Sequence, residues 1–316
     1  MIDNKKVLVI GGGSGQSIIL RGLKQIETID LYTIVTVADD GGSTGRLRRA
    51  YDVPAMGDIR RVMIALTESE SLFSTLMSYR FDELEGTELG GHNLGNIILT
   101  ALTQKSGSFM EAISLISKVL NVKGDIIPST TQRLTLFAKM ADGTIVRGES
   151  NIPSIDNHIS EVYYEEKVKA TTEAIKAIEK ADVIIFGLGS LYTSICPNLI
   201  IPDIQKALKK TKAIKLYFCN VMSQAGETDG YSLEDHVFTL EKHAKIKLDM
   251  VITVADNISS DKLKRYAAHN SYPILINEKD HSYRILKRKL LSADPNLIRH
   301  DPMKIKMIVE SILKEL

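Results

Sequence analysis

The sequence predicts an α/β fold with three layers (α/β/α), in which helices cover both faces of a doubly wound, mainly parallel sheet. Short β-branched and apolar runs alternate with longer segments whose apolar residues recur at helical spacing. Most of these runs end in glycine or in an acidic or amide residue, where a strand turns toward the next helix. The predicted strands are residues 7–10, 33–38, 183–186, 214–219, 250–254 and 273–276.

Two helix starts are marked by capping residues. Ser232 with Asp235 three positions later predicts a capping box. Asp301 before Pro302 predicts an N-cap followed by proline at the first helical position. Helices that follow apolar runs in this way are typical of a Rossmann-like fold.

The middle of the chain has a different pattern. Residues 57–122 are predicted to be mostly helical, and residues 133–139 with 144–147 predict a β-hairpin. We interpret residues from about 57 to 180 as a subregion inserted into one domain that spans residues 1–316. The alternative is a genuine second domain.

Composition narrows the class of protein. Forty Lys and Arg against 39 Asp and Glu leave a formal net charge of +1, which argues against a dedicated nucleic-acid-binding protein. The only cysteines, Cys196 and Cys219, exclude a disulfide scaffold and a cysteine-rich zinc site. No apolar run approaches the roughly 18 residues of a membrane span, and no signal-peptide core is present. We therefore expect a cytoplasmic protein.

A glycine-rich turn follows the first predicted strand. Gly11, Gly12, Gly13 and Ser14 are candidates for binding a phosphate, because glycine lets a ligand approach the backbone and a helix N-terminus offers free amides. The full dinucleotide fingerprint fails, since Gln16 stands where its third glycine would be. The alternative is a tight turn between strand and helix with no ligand.

Acidic and basic residues cluster after the second predicted strand. Asp39 and Asp40 lie where a carboxylate would meet a ribose hydroxyl or a cation such as Mg²⁺. Ser43, Thr44 and Arg46 follow, and their side chains suit phosphate oxygens. The glycine spacing does not fit a Walker A loop. The alternative is a solvated turn before a basic helix face.

Two further segments are candidates for ligand contact. His92 and Asn93 lie in a polar, glycine-rich stretch, which a turn with an N-cap explains only in part. Zinc is not expected there, because His92 lacks a second His or Cys at metal spacing. Gly187, Gly189 and Ser190 form a second glycine turn after a buried strand, and the alternative is an ordinary turn.

Later positions leave more than one interpretation open. Asn220 ends a predicted strand, and Thr228 lies in the polar loop that follows, which either reads a base or sugar or connects elements at the surface. Asp58 either caps a helix or belongs to a ligand-binding segment. Arg299 enters the cleft or stays outside, and the residues alone slightly favour outside. No nucleophile elbow, Ser–His–Asp order or HExxH motif is present, so the pattern indicates a phosphate-rich ligand rather than a reaction.

These segments together resemble a known family. Residues 11–15, 38–48, 57–60, 90–96, 187–190 and 220–230 resemble the gluconeogenesis factor family, the YvcK branch of the CofD-like superfamily. The likeness runs over essentially the whole chain. Residues 38–47 carry its most specific part.

The resemblance implies a cytoplasmic bacterial protein needed for growth and normal cell shape on gluconeogenic carbon sources. It also implies binding of UDP-sugars such as UDP-N-acetylglucosamine. By position, Gly12, Gly13 and Ser14 would meet the diphosphate, and Arg299 would contact the sugar nucleotide. Homo-oligomer formation and a regulatory protein partner are compatible with this expectation and are not determined by it.

The sister branch suggests an alternative function. Its members resemble 2-phospholactate transferases, which use a metal, and they share the acidic pair Asp39 and Asp40. Such an enzyme would need a cofactor such as Mg²⁺. Residues 43–46 and 57–61 are similar to the first branch instead. A nicotinamide-dependent dehydrogenase is disfavoured by the broken glycine fingerprint. The leading expectation is a nucleotide-sugar-binding regulatory protein, and the alternative is a phosphorylated-group transferase.

Overall fold

The computed structural model describes residues 4–68, 72–83, 87–277 and 280–316. Within these ranges the strands, in chain order, are β1 (Lys5–Gly11), β2 (Ile29–Val35), β3 (Asp125–Pro128), β4 (Phe137–Met140), β5 (Ile145–Arg147), β6 (Ile159–Tyr163), β7 (Val183–Phe186), β8 (Ile214–Phe218), β9 (Met250–Val254) and β10 (Arg284–Arg288).

The helices share the amphipathic pattern that the sequence predicts. They are α1 (Gly13–Leu23), α2 (Gly42–Tyr51), α3 (Gly57–Leu66), α4 (Leu72–Ser78), α5 (Leu94–Ser106), α6 (Phe109–Val119), α7 (Thr172–Lys180), α8 (Cys196–Leu199), α9 (Pro202–Lys210), α10 (Leu233–Ala244), α11 (Ser260–Ala267) and α12 (Pro302–Lys314). Both predicted caps are confirmed, because Ser232 and Asp235 form a capping box and Asp301 accepts from the amides of Met303 and Lys304.

Seven of the strands form one parallel sheet in the order β10-β9-β8-β7-β1-β2-β3. From β1 the chain first adds strands on one side and later returns to add β7 and its successors on the other side. The order therefore reverses between β1 and β7, which is where doubly wound sheets bind ligands. The predicted Rossmann-like α/β fold is confirmed.

The central strands are buried on both faces. Residues 7–10 and 183–186 have no exposed surface. Helices α1, α3 and α12 pack together in one layer, and α7, α8 and α9 pack together in another. Strands covered on both faces must be apolar throughout, which explains why these runs lack the alternation of a half-exposed strand.

The predicted subregion, residues 57–180, divides between two sheets. Helices α3 to α6 confirm its helical first half, and β3 joins the edge of the main sheet. The predicted hairpin is confirmed as the antiparallel pair β4 and β5, which β6 extends to a small second sheet. A 3₁₀ helix, Glu149–Ser154, follows β5. The assignment of residues 1–316 to one domain stays a prediction.

Two strand predictions are wrong. The second strand is Ile29–Val35 rather than residues 33–38, because it pairs with β1 in register over its whole length. Residues 273–276 do not form a strand. Pro273, which has no amide to donate to a ladder, makes only an isolated bridge to Met222. The edge of the sheet is instead β10, whose charged residues blunt an otherwise open edge.

No helix among the described residues has both the length and the apolar character required to cross a lipid bilayer.

Candidate functional site

The two glycine turns meet at the reversal of strand order. Backbone atoms there lie so close that a Cβ added to Gly15 would stand 2.5 Å from the main chain of Leu188 and Gly189. Between the turns lies a cavity of about 270 Å³, which we call the glycine-turn cavity. Its lining consists of residues 12–15, Asp39, Asp58, Arg61, Glu149, Gly189, Ser190, Thr193 and Ser194.

The first turn contacts a carboxylate of the protein itself. A Cβ on Gly12 would lie 2.6 Å from Oδ2 of Asp58. The amide of Gly13, whose φ is +65°, donates a hydrogen bond to the same side chain. Glycine is thus required here for the close approach of Asp58. The sequence predicts that the amide of Gly13 binds a phosphate, but in the structure this amide donates to the side chain of Asp58.

Gln16 explains the broken glycine fingerprint. Its side chain is fully buried, and Nε2 donates to the carbonyls of Val9 and Ile34 at 3.2 and 3.0 Å and to Oγ1 of Thr33 at 2.7 Å. The side-chain amide of Gln16 therefore links α1 to β1 and β2 beneath the turn. A glycine at this position would lose that link.

Asp58 has an unusual environment for a carboxylate. Only 6% of its surface is exposed, and Oδ1 forms an ion pair of 2.7 Å with Nη1 of Arg61. Burial, followed by the nearby charge of Asp39, raises its pKa to about 6, although Arg61 partly opposes the shift. Asp58 therefore titrates close to neutral pH.

Glu149 reaches the same cavity from the 3₁₀ helix. Burial, together with the negative charges of Asp39 and Asp58, raises its pKa to about 8. The cavity consequently holds three carboxyl groups, at least one of which carries a proton near neutral pH. Groups with such shifted pKa values in a cleft are typical of functional sites.

The adjacent pair Asp39 and Asp40 separates in the structure. Asp39 lines the cavity, and its Oδ1 accepts from the amide of Gly41 at 3.0 Å. The carboxylate of Asp40 accepts from the amides of Glu149 and Ser150 at 3.2 and 3.0 Å. Asp40 thus holds the start of the 3₁₀ helix. The two carboxylates bind different backbone amides and do not act together on one ligand group.

Ser43, His92 and Asn93 lie outside the lining of the cavity. Oγ of Ser43 accepts from the amide of Asn93 at 3.1 Å and lies 3.1 Å from Nδ1 of His92. The Asn93 side chain caps α5 by accepting from the amide of Asn96. These contacts join α2 to the start of α5.

Thr44 and Arg46 belong to the same junction. Oγ1 of Thr44 accepts from Nδ2 of Asn96 at 3.4 Å, and Nη2 of Arg46 donates to the carbonyl of Gly90 at 2.7 Å. Neither residue lines the cavity. Both side chains therefore make structural contacts, and a ligand contact stays a prediction for each.

The second turn is held by side chains from the loop after β8. Gly187 and Gly189 have φ values of +88° and +138°. Asn220 donates to the carbonyl of Gly189 at 2.8 Å and accepts from its amide at 3.4 Å. Ser190 donates to Oε1 of Gln224 at 2.7 Å. This loop fixes the shape of the turn.

Glu227 is the buried anchor of that loop, and sequence reasoning did not select it. It is 3% exposed and accepts from the amide of Tyr192 at 3.2 Å and from Oγ1 of Thr193 at 3.0 Å. Burial raises its pKa to about 7, against the opposing effect of these hydrogen bonds. Thr228 is also buried and accepts from the amide of Gln224 at 2.9 Å.

Arg299 stands apart from the glycine-turn cavity. Its side chain is exposed, and it is absent from the lining. The neighbouring His300 bridges Leu291, which follows β10. Arg299 therefore lies at the carboxyl edge of the sheet, four strands away from β1.

Sequence reasoning missed several residues of the cavity. Asp39, Asp58 and Glu149 line one cavity, but no three His, Cys, Asp or Glu side chains among the described residues are arranged to hold a metal ion, so these carboxyl groups do not by themselves fit the Mg²⁺ expectation. Asp58 carried a detectable signal in its segment after a glycine. Arg61 lies in the same segment, and Thr193 and Ser194 lie in the segment of the second glycine turn, whereas Glu149 carried no signal.

Comparison with known proteins gives a consistent result. Residues 7–293 match the family model described as 2-phospho-L-lactate transferase CofD. The chain is 42% identical over 311 residues to a gluconeogenesis factor of Halalkalibacterium halodurans, covering 96% of this chain and 95% of that protein. It is 40% identical over an alignment of 320 residues to the gluconeogenesis factor of Bacillus subtilis, with full coverage of both.

A solved structure agrees with these relatives. The crystal structure of a UPF0052 family protein from Bacillus halodurans superposes with a TM-score of 0.92 at 41% identity, covering 97% of this chain and 99% of that one. The matches extend over almost the whole length of the chain. This chain therefore belongs to the CofD family, which also includes the relatives named gluconeogenesis factor.

Proposed function

We propose that this protein binds a nucleotide sugar, of the UDP-N-acetylglucosamine class, as a cytoplasmic regulator of growth and cell shape on gluconeogenic carbon sources. The observation that carries the proposal is the meeting of two glycine turns at the carboxyl ends of β1 and β7. Doubly wound folds bind nucleotides at this position. The relatives named gluconeogenesis factor support the physiological part.

The chemistry of the cavity suits a ligand rich in hydroxyl groups. Asp39, Asp58 and Glu149 offer carboxyl oxygens to sugar or ribose hydroxyls, as the acidic residue after β2 does in related folds. Arg61 adds a cation for a phosphate oxygen. A bare diphosphate lying against all three carboxylates would be repelled, so we place the hydroxyl-bearing part there.

An elongated ligand explains how Arg299 takes part. Neighbouring strands lie about 4.8 Å apart, so four steps from β1 to β10 span roughly 19 Å along the carboxyl edge. Asn220 follows β8 on the same edge. A ligand that starts at the glycine turns and lies across these strand ends reaches Arg299.

Titration calorimetry with UDP-N-acetylglucosamine tests the proposal. We expect Asp39→Asn to weaken binding about tenfold, since it removes a charged acceptor of a hydroxyl. Arg299→Ala should weaken it by about 1.5–3 kcal/mol, the scale of a charge-assisted hydrogen bond. The matched controls are Asp30→Asn and Arg284→Ala, which alter the opposite ends of β2 and β10 and should change affinity less than twofold.

The outcomes are distinct. Absence of heat at millimolar ligand would exclude this ligand class, and equal losses in the Asp30 and Asp39 variants would remove the cavity from the binding site. The physiological part is tested by expressing the Asp39→Asn variant in a bacterium that lacks its own relative. That variant should fail to restore growth on a gluconeogenic carbon source.

A second candidate function is transfer of a phosphorylated group, which the raised pKa of Glu149, about 8, favours. A carboxyl group that holds a proton near pH 7 can donate it to a leaving oxygen. Incubation with the activated phospholactate, a deazaflavin alcohol and Mg²⁺ would then give product, and Glu149→Gln would abolish it. No turnover in the unmodified protein would exclude this function.

A further inference from the structure

A second cavity adjoins the glycine-turn cavity and differs from it in charge. It encloses about 380 Å³, and we call it the arginine pocket. Four arginines from three segments line it: Arg48 and Arg49 come from α2, Arg133 precedes β4, and Arg147 ends β5. The function proposed above uses none of these side chains.

Arg48 brings a buried charge to the arginine pocket. The residue is only 4% exposed, and its guanidinium donates to the carbonyls of Ala38, Asp39 and Leu134. Its Nε has no acceptor among the described residues. These hydrogen-bond partners are neutral, and burial lowers the pKa of the guanidinium, although the charges of Asp40 and Asp39 nearby oppose that shift. A buried charge that makes no direct ion pair is costly, and an anion in the pocket would reduce that cost.

The exposed arginines add charge that is largely unpaired. Arg133 forms an ion pair of 2.9 Å with Asp52. Arg49 and Arg147 have no carboxylate at ion-pairing distance in the part of the chain that the structure describes. Asp40 also lines the pocket, but backbone amides already engage its carboxylate. The pocket therefore has an excess of positive charge.

We propose that the arginine pocket is a second ligand site, which binds a small phosphorylated anion separately from the glycine-turn cavity. Guanidinium groups bind phosphate oxygens through two parallel hydrogen bonds. Thr135 and Asn151 line the same space and supply further polar groups. The volume lies within the range of small-molecule sites.

Consecutive residues divide between the two cavities. Asp39 lines the glycine-turn cavity and Asp40 lines the arginine pocket. Likewise Glu149 lines the first and Gly148 the second. The sites are therefore adjacent but separated by the backbone of these two pairs. The proposal is therefore that a phosphate in the pocket and the ligand of the cavity are two separate molecules.

Calorimetry on the full chain, with inorganic pyrophosphate as the probe, tests this site. We expect pyrophosphate to bind at least tenfold more tightly than sulfate at equal ionic strength. The double variant Arg49→Gln/Arg147→Gln should lose at least tenfold in affinity for pyrophosphate. The matched control Arg21→Gln/Arg284→Gln removes two exposed arginines elsewhere and should lose less than twofold. Arg48 is left in place because it is buried and binds three carbonyls.

The results that overturn the proposal are equally specific. No heat at millimolar pyrophosphate, or a control variant that loses as much as the pocket variant, would show general attraction to surface charge. Competition between UDP-N-acetylglucosamine and pyrophosphate would show that both reach one site. Undiminished pyrophosphate binding in an Arg49→Lys/Arg147→Lys variant would overturn the two-hydrogen-bond recognition. Far-ultraviolet circular dichroism and thermal unfolding establish that each variant is folded.

Discussion

The glycine-turn cavity and the arginine pocket lie on either side of the same two short backbone segments. Carboxyl groups cluster in the first and arginines in the second, and the two clusters differ in how deeply they are buried. In the cavity, Asp58 is buried and Glu149 is partly buried, and their pKa values rise to about 6 and about 8. In the pocket, Arg49 and Arg147 reach solvent, where water and salt screen their repulsion. Burial therefore raises the pKa of carboxyl groups in the cavity, and it lowers the pKa of Arg48, the buried arginine of the pocket.

This difference separates the ligands that each region suits. An ionised carboxylate accepts hydrogen bonds from hydroxyl groups, and a protonated carboxyl group can also donate one to them. Guanidinium groups stay charged and pair with phosphate oxygens. The glycine-turn cavity is therefore expected to bind hydroxyl groups, and the arginine pocket a separate phosphorylated anion. Variants of either region test this difference.

The largest effect is expected where the two glycine turns touch. Gly15→Ala places a methyl group 2.5 Å from the main chain of Leu188 and Gly189, which forces the turns apart. We expect a loss of about 2–3 kcal/mol in the free energy of unfolding. Helix propensity alone would favour alanine by about 1 kcal/mol, so a net loss isolates the clash. Urea unfolding measures it, with exposed Ser14→Ala as the control. Unchanged stability would contradict the close approach.

The next effect is a stability gain that depends on pH. Folding raises the pKa of Asp58 from 3.8 to about 6, so the folded state binds more protons between these values. The stabilisation is complete below pH 3.8 and is lost as the pH rises through 6. At pH 8 the buried ionised carboxylate is a net cost. The stability of Asp58→Asn relative to the unmodified protein should therefore be about 2–3 kcal/mol more favourable at pH 8 than near pH 4.

Urea unfolding of both proteins at several pH values checks this prediction. Glu227→Gln serves as a comparison outside the cavity: burial raises the pKa of that carboxyl group to about 7, so its stability difference should also vary with pH, over a higher range than for Asp58→Asn. A difference between wild type and Asp58→Asn that does not vary with pH would contradict the shifted pKa.

A smaller effect distinguishes the two neighbouring aspartates. Asp40→Ala removes the acceptor of the amides at Glu149 and Ser150, and we expect it to cost about 1 kcal/mol of stability. Asp39→Ala removes a negative charge from beside Asp58, so its cost should be smaller. Thermal unfolding ranks the two variants. The opposite ranking would mean that Asp39, rather than Asp40, holds the boundary between the cavities.

The smallest effect concerns the arginine pocket without a ligand. Arg49→Gln/Arg147→Gln removes two exposed charges of the same sign, and the free energy of unfolding should change by no more than about 0.5 kcal/mol. Any gain should shrink as salt is added, because the charges are exposed. A salt-independent change above 1 kcal/mol would show that these side chains are structural.

Most of the fold was predictable from the local pattern. The apolar runs at residues 7–10 and 183–186 predicted central strands, since strands covered on both faces cannot alternate. The pattern failed at residues 273–276, where the run is apolar enough for a strand but Pro273 cannot donate to a ladder. It also misplaced the second strand, because the register with β1 depends on a partner elsewhere in the chain.

The candidate site was predictable only where it follows strand ends. The glycine turns at residues 12 and 189 come together because parallel strands β1 and β7 end at one edge. Glu149 gave no signal, because a 3₁₀ helix from the subregion brings it to Asp39. The sequence predicts that Ser43 and Asn93 contact a ligand. In the structure the amide of Asn93 donates a hydrogen bond to Oγ of Ser43.

The sequence by itself determined the α/β class, the glycine turns and the family, because these depend on local pattern and on motifs that stand together in the chain. The tertiary structure alone decided which carboxyl groups share the cavity, which amides they engage and which arginines line the pocket. Charge interactions depend on distance and burial, and neither is set by separation along the chain.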